Sequence, residues 1–406
     1  MAILILNRLS SSNMPYSDIL KNANEEILLL CDSTRASGFN KNEFDYFETF
    51  DNYDTNSNVE YRSLKLSEKY KISHVVATSE YDLIRAASIR DELSLPGQNV
   101  ESALAFRDKI IMKGIAQQEV MVPKYAKIKS IIDIYKFIKE NGYPIVIKPI
   151  DGAGSVDTSI IKDENNLVEY LSNGIKKGFE IEEFIEGDMY TIDGLYLNGT
   201  LEFYWMGYYV NDCLSFNEGK QASNVQINNN HPLYSRLEKF IFTLVNIMPF
   251  PNTTTFHCEV FHTIRNDLIL CEIASRTGGG GINELSKKYA NINLNHLWVK
   301  GQCDLIENSD LKINIIKNKI FGWVQIPPTE GVLEYIPTQD DIPFNWVEDY
   351  KIKALKGSKF GKASKSSHKV AVVVVSGNTI EETKLRMDKI TEWVSSKCVW
   401  SKVKGE

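Results

Sequence analysis

The chain lacks most of the short signatures that settle a protein's chemistry at a glance. Its six cysteines are scattered, with no CxxC or other ligand spacing. They read as reduced, mostly buried thiols, which excludes a disulfide framework and a structural zinc site and suits a cytoplasmic protein. The six histidines are equally dispersed, and no HExxH pairing supports His257 or His262 as zinc ligands. No GxxxxGK[ST] phosphate loop occurs, and no GxGxxG follows the first apolar segment, so the P-loop and nicotinamide fingerprints are both missing. Apolar runs reach no further than that of residues 370–375, which is strand length and far short of a membrane span. The opening MAILILNRL has no basic lead-in, so no secretory leader is expected. A net charge of -7 over 406 residues is mild and argues against nucleic acid or an anionic membrane as partner.

What remains is an ordinary globular composition, 43% apolar and 24% charged, in a chain long enough for two or three cores. The first hundred residues alternate apolar strands at 3–6, 27–30 and 72–76 with helical patterns at 81–93 and 109–118, the mark of an open α/β sheet. A break near Val122-Pro123 starts a smaller α+β unit. It has a helix at 131–141, a strand at 145–148, the turn DGAGS at 151–155, a strand at 158–161, a helix at 165–174 and a strand at 179–185. Beyond Met189 the strands lengthen and carry more aromatics, as at 201–210, and a helix at 232–245 leads into CEVFHTIRNDLILCEIASRTGGGG. Strands at 320–326 and 370–375 and a helix at 380–394 follow. The Lys-, Ser- and Gly-rich residues 351–369 read as a mobile loop. The expected divisions are an α/β domain at 1–115, a small unit at 116–186, a larger antiparallel unit at 187–310 and a segment completing it at 311–406.

The chemistry concentrates where two apolar strands each contain one acid. With a turn through Arg265-Asn266, partners sum to 531, so Glu259 and Glu272 face each other, with Cβ atoms about 5 Å apart. Like charges so placed repel. Either a divalent cation such as Mg²⁺ lies between them, or both are solvated on an exposed face. Arg276 continues the alternation of 272 and 274 and precedes four glycines, a combination suited to a phosphate. Lys148 ends PIVIKP beside the Gly-rich turn and is equally placed for phosphate oxygens. Lys109, alone, reads as a helix-surface lysine.

The order RDK, PIVIKP with DGAGS, EIEEFIEG and CEVF…CEIASRTGGG resembles the ATP-grasp superfamily, from about Lys109 to Gly281, and most of all the bacterial L-amino-acid ligases that form dipeptides. The resemblance implies an α/β domain, a small lid subdomain and a larger antiparallel domain. It implies that ATP phosphates meet Lys109 and Lys148, and that the 151–155 turn, with Gly152, Gly154 and Ser155, closes over them. The backbone of Glu182, Glu183, Phe184 and Ile185 would meet adenine, with Glu183 and Glu186 otherwise plain strand-end acids. Glu259 and Glu272 would hold Mg²⁺, with two ions expected and Mn²⁺ an alternative, and Arg276 would face the transferred phosphate.

Two positions depart from relatives. Met189 stands where a ribose-binding glutamate is common, so either Asp188 takes over or the ribose is held elsewhere, and Ala274 replaces the metal-ligand asparagine of D-alanine–D-alanine ligase and biotin carboxylase. The implied activity joins two amino acids through an acyl-phosphate in a homodimeric enzyme. Rival readings are amino-acid loading onto a carrier protein, with residues 351–369 as the docking face, and a non-catalytic nucleotide-binding regulator. The base for the amine is open between His257 and Glu218, and residues 204–220 either line the acceptor pocket or form a solvent-exposed hairpin.

Overall fold

The computed structural model describes residues 1–211, 222–361 and 369–402. Strands β1 (Ala2–Asn7), β2 (Glu26–Asp32), β3 (Tyr46–Phe50) and β4 (Ile72–Ala77) form a parallel sheet in the order β3-β2-β1-β4. All six residues of β1 are buried, as a strand covered on both faces requires. Leu4, Leu6, Leu28 and Leu30 enter one core, and Ile3, Ile5 and Leu29 the other. The short mixed segment YFETF of β3 buries only Phe50, so no apolar run announces it.

Strands β5 (Tyr125–Lys127), β6 (Ile145–Pro149), β7 (Ser159–Ile161) and β8 (Phe179–Glu183) form a small antiparallel sheet, β5-β8-β6-β7. The helix Ile131–Asn141 covers it with Ile134 and Phe137. That helix starts at a Ser130/Asp133 capping box and stops at Gly142, whose φ of 75° is left-handed territory that glycine enters freely. Upstream, RDK is a helix junction. Arg107 closes the helix Val100–Arg107, the Asp108 carboxylate accepts from the N–H groups of Ile110 and Ile111, and Lys109 opens the helix Lys109–Ala116.

The remaining chain builds one eight-stranded sheet, β13-β12-β9-β10-β11-β14-β18-β16. Its members are β9 (Gly187–Leu197), β10 (Thr200–Asn211), β11 (Ser223–Ile227), β12 (Thr253–Thr263), β13 (Leu268–Ala274), β14 (Ile320–Ile326), β16 (Val347–Ile352) and β18 (Ala371–Gly377). A separate three-stranded sheet joins β15 (Gly331–Tyr335), β17 (Lys359–Phe360) and β19 (Val399–Ser401). Residues 351–369, expected as loop, therefore include the end of β16 and all of β17, while 362–368 lie outside the described residues. Among the described residues no helix is long and apolar enough to cross a membrane.

Candidate active site

The hairpin β12–β13 sets the site. Glu259 pairs with Glu272, as do Cys258 with Ile273 and His257 with Ala274, all summing to 531. Nearer the turn the sum is 530, because a bulge separates Glu259 from Val260. The two-residue turn expected at Arg265-Asn266 is thus replaced. Thr263 and Asp267 are joined by a backbone hydrogen bond, with Asn266 left-handed at φ 65° between them. One extra residue in β13 restores the pairing of the two acids.

The acids face a cleft of about 330 Å³ between the small sheet and the large one. Lys109, Lys148, Gly152, Gly154, Ser155, Glu182, Glu183, Phe184, Ile185, Glu259, Glu272 and Arg276 all line it. Asp188 does not: it is exposed, and its neighbour Met189 lines the cleft instead. Strand alternation in β9 turns the two side chains to opposite faces, Met189 toward the cleft and Asp188 away from it. Of residues 204–220, Tyr209 and Asn211 reach the cleft, whereas Tyr204 donates its hydroxyl to Glu238 at 2.5 Å on the helix Tyr234–Ile247. Residues 212–220, Glu218 among them, lie outside the described residues.

Lys109 is not a surface lysine. It is buried, with Nζ 3.1 Å from Glu272 Oε2 and donating to the Gly152 carbonyl at 2.8 Å. Burial pushes the Glu272 carboxyl up, but Lys109, Lys148 and Arg276 outweigh it and bring it down to about 2. Glu259 accepts from the Tyr209 hydroxyl at 3.0 Å and lies 3.3 Å from His257 Nε2. His257 Nδ1 is 2.8 Å from the buried Asp193. Burial lowers the imidazole's proton affinity, but Asp193 and Glu259 raise it to about 10, so the ring is an imidazolium held on both nitrogens.

The small sheet hides a charge cluster that the linear motifs do not announce. Lys113, fully buried, donates to Glu180 at 2.8 Å and Glu182 at 2.5 Å, and Lys148 donates to Glu182 at 2.6 Å. The Glu182 side chain is therefore an anchor for two lysines, beyond the backbone role expected of it. Burial raises Glu180; at Glu182 the same burial is outweighed by Lys148 and Lys113. Glu183, expected as a plain strand-end acid, accepts from the Lys124 N–H at 2.9 Å. Two signals were available in the sequence. Glu180 and Glu182 alternate around buried Ile181, and Lys113 lies one helical turn after Lys109. Replacing Lys113 by Met should leave two buried carboxylates competing for Lys148. We expect a loss of about 3–5 kcal/mol in chemical denaturation; a loss below about 1 kcal/mol would show that the cluster is not structural.

No protein-family model matches the chain. An L-arginine-specific L-amino acid ligase of Bacillus subtilis is 27% identical over 281 residues, 66% of this chain and 66% of that protein, so the match spans just under two thirds of its length. D-alanine–D-alanine ligase B of Clostridium perfringens is 25% identical over 232 residues, 50% of this chain and 74% of the other. The crystal structure of an L-amino acid ligase from Bacillus licheniformis superposes with a TM-score of 0.77 at 16% identity, covering 99% of both chains. The chain therefore has the ATP-grasp fold, and its sequence is similar to those of ATP-dependent ligases that act on amino acids.

Proposed function

We propose that the protein joins the carboxylate of one amino acid to the amine of a second, with ATP as the energy source. The observation that carries this reading is the cleft itself: two opposed carboxylates, two buried lysines and one arginine converge on a single space. The donor set fits magnesium. Mg²⁺ typically accepts one or two protein carboxylates and completes its octahedron with phosphate oxygens and water. Among the described residues no group of three or more acids, histidines or cysteines forms a cage of its own, so phosphate oxygens would supply the other ligands. Glu259 and Glu272 would hold the metal. The bound metal would neutralise charge on the transferring phosphoryl group.

In the chemical sequence a substrate carboxylate oxygen attacks the γ-phosphorus of ATP, the bond to the β–γ bridging oxygen breaks, and ADP leaves. The amine nitrogen of the second substrate then attacks the acyl carbon, the acyl–oxygen bond breaks, phosphate departs, and the nitrogen loses its proton. Lys148 and Lys109 bind phosphate oxygens, Arg276 meets the charge that grows on the transferred group, and the 151–155 loop keeps water from the acyl-phosphate. The backbone of Glu182–Ile185 meets the adenine edge. His257, held between Asp193 and Glu259, orients Glu259.

The test is a phosphate-release screen over pairs of free amino acids with ATP and Mg²⁺, with product mass measured for each active pair. A dipeptide made without any carrier is the expected result. Nucleotide binding without ADP release for every pair would sink the reading in favour of a regulatory protein, and release only when a carrier protein is added would replace the acceptor.

A further inference from the structure

Two residues outside the metal-and-phosphate set, Glu80 and Arg107, connect its two halves. Glu80 lies just past the C-terminal end of β4, where an open parallel sheet characteristically presents its ligand-facing edge. Its Oε2 accepts from Arg276 Nε at 2.5 Å, and its Oε1 accepts from Arg107 Nη1 at 2.6 Å. Arg107 passes the connection on, donating through Nη2 to the carbonyl of Asp151, the first residue of the Gly-rich loop. Alongside runs a second connection, in which Lys109 bonds both Glu272 and the carbonyl of Gly152. Consecutive carbonyls of the loop are therefore held by two cations, one tied to the metal-binding hairpin directly and the other through the first domain.

All three members of the Arg276–Glu80–Arg107 chain are largely buried, with side-chain exposures of 15%, 10% and 5%. In such surroundings a carboxylate shared by two guanidinium groups holds both in fixed directions, since each is charge-assisted and neither has bulk water as a ready substitute. Burial pushes the Glu80 carboxyl up, but Arg276 and Arg107 pull it below its ordinary value, so it stays ionised and accepts from both.

We propose that Glu80 is a positioning residue: it aims Arg276 at the transferred phosphate and, through Arg107, couples that aim to the placement of the 151–155 loop. The first α/β domain thereby contributes to catalysis without touching the nucleotide. The inference rests on the ligase reading for Arg276, whereas the loop coupling stands on the hydrogen bonds alone.

The experiment uses the full-length protein and two readouts. In steady-state kinetics with an active amino-acid pair, Glu80→Gln should lower kcat about 10- to 100-fold, as misplacement of a catalytic group does. The KM for ATP should stay within about threefold. Glu80→Asp, which keeps the charge, should recover part of the loss. In the double variant Glu80→Gln/Arg276→Ala, turnover should be no slower than in Arg276→Ala alone, since one residue acts through the other. In hydrogen exchange without ligand, the amides of residues 152–155 should exchange about fivefold or more faster in both Glu80→Gln and Arg107→Met. Losses that multiply in the double variant would overturn the positioning role, and unchanged loop exchange in both single variants would overturn the coupling. If the parent protein turns over no amino-acid pair at all, the ligase reading fails, while the exchange measurement still decides the coupling.

Discussion

Replacing Glu272 by Gln is expected to abolish amide-bond formation and leave the fold standing. The substitution keeps size and shape and removes one negative charge. In the folded protein that charge has neighbours of opposite effect. Lys109 Nζ, 3.1 Å away, attracts it together with Lys148 and Arg276, and Glu259, directly across the hairpin, repels it. Losing the attraction costs this largely buried carboxylate about a few kcal/mol, and losing the like-charge pair returns part of it, so the melting temperature should fall while the fold is kept. Catalysis has no such compensation. With one carboxylate left, the proposed metal loses half of its protein ligands. Electrostatic stabilisation of a transferring phosphoryl group is worth several kcal/mol, so kcat/KM should fall by about 10³ or more. Excess Mg²⁺ should recover part of it. Turnover within about tenfold of the parent, at equal folded fraction, is incompatible with a metal at this position.

How far the sequence foretold this arrangement can be judged from individual elements. The parallel strands β1, β2 and β4 were legible because strands buried on both faces are continuous apolar runs. Strand β9 was not, although it lies between β12 and β10 in the middle of the large sheet. GDMYTIDGLYL begins with a glycine and an acid and carries Asp193 in its centre, where composition argues against a strand; His257 neutralises that acid in the fold. The pairing of Glu259 with Glu272 was read correctly from a turn the protein does not use, because a turn one residue longer and a one-residue bulge cancel. Register arithmetic cannot detect a bulge whose effect is compensated within the same hairpin. Glu80 and Arg107 escaped for another reason. Each belongs to the site through a partner 27 to 196 residues away in sequence, and no local spacing records such a pairing. Asp188 turns away from the cleft because its neighbour Met189, not a polar residue, occupies the cleft face.

Arg276→Ala is expected to slow turnover far more than it weakens nucleotide binding. The guanidinium is held at two of its nitrogens: Nε donates to Glu80 and Nη1 donates to the Thr277 carbonyl at 3.2 Å. The side chain lines the cleft beside Gly279 and Gly280, and Nη2 has no bond to any described residue. A donor fixed in this way gains most when negative charge grows on the group it faces. In the proposed arrangement ATP in its ground state would already be shared among Lys109, Lys148 and the metal, so one lost donor should change its Kd by about threefold or less. In the transition state of phosphoryl transfer, and again when phosphate leaves the acyl group, one preorganised donor is worth roughly 10² to 10³ in rate. Single-turnover measurement of ADP formation, beside nucleotide affinity from calorimetry, separates the two effects. Arg276→Lys should restore charge but not the fork that lets one nitrogen rest on Glu80 while another faces the phosphate, leaving it closer to alanine than to the parent. Equal losses in affinity and in rate would make Arg276 a binding residue only, and an unchanged rate would remove it from the reaction.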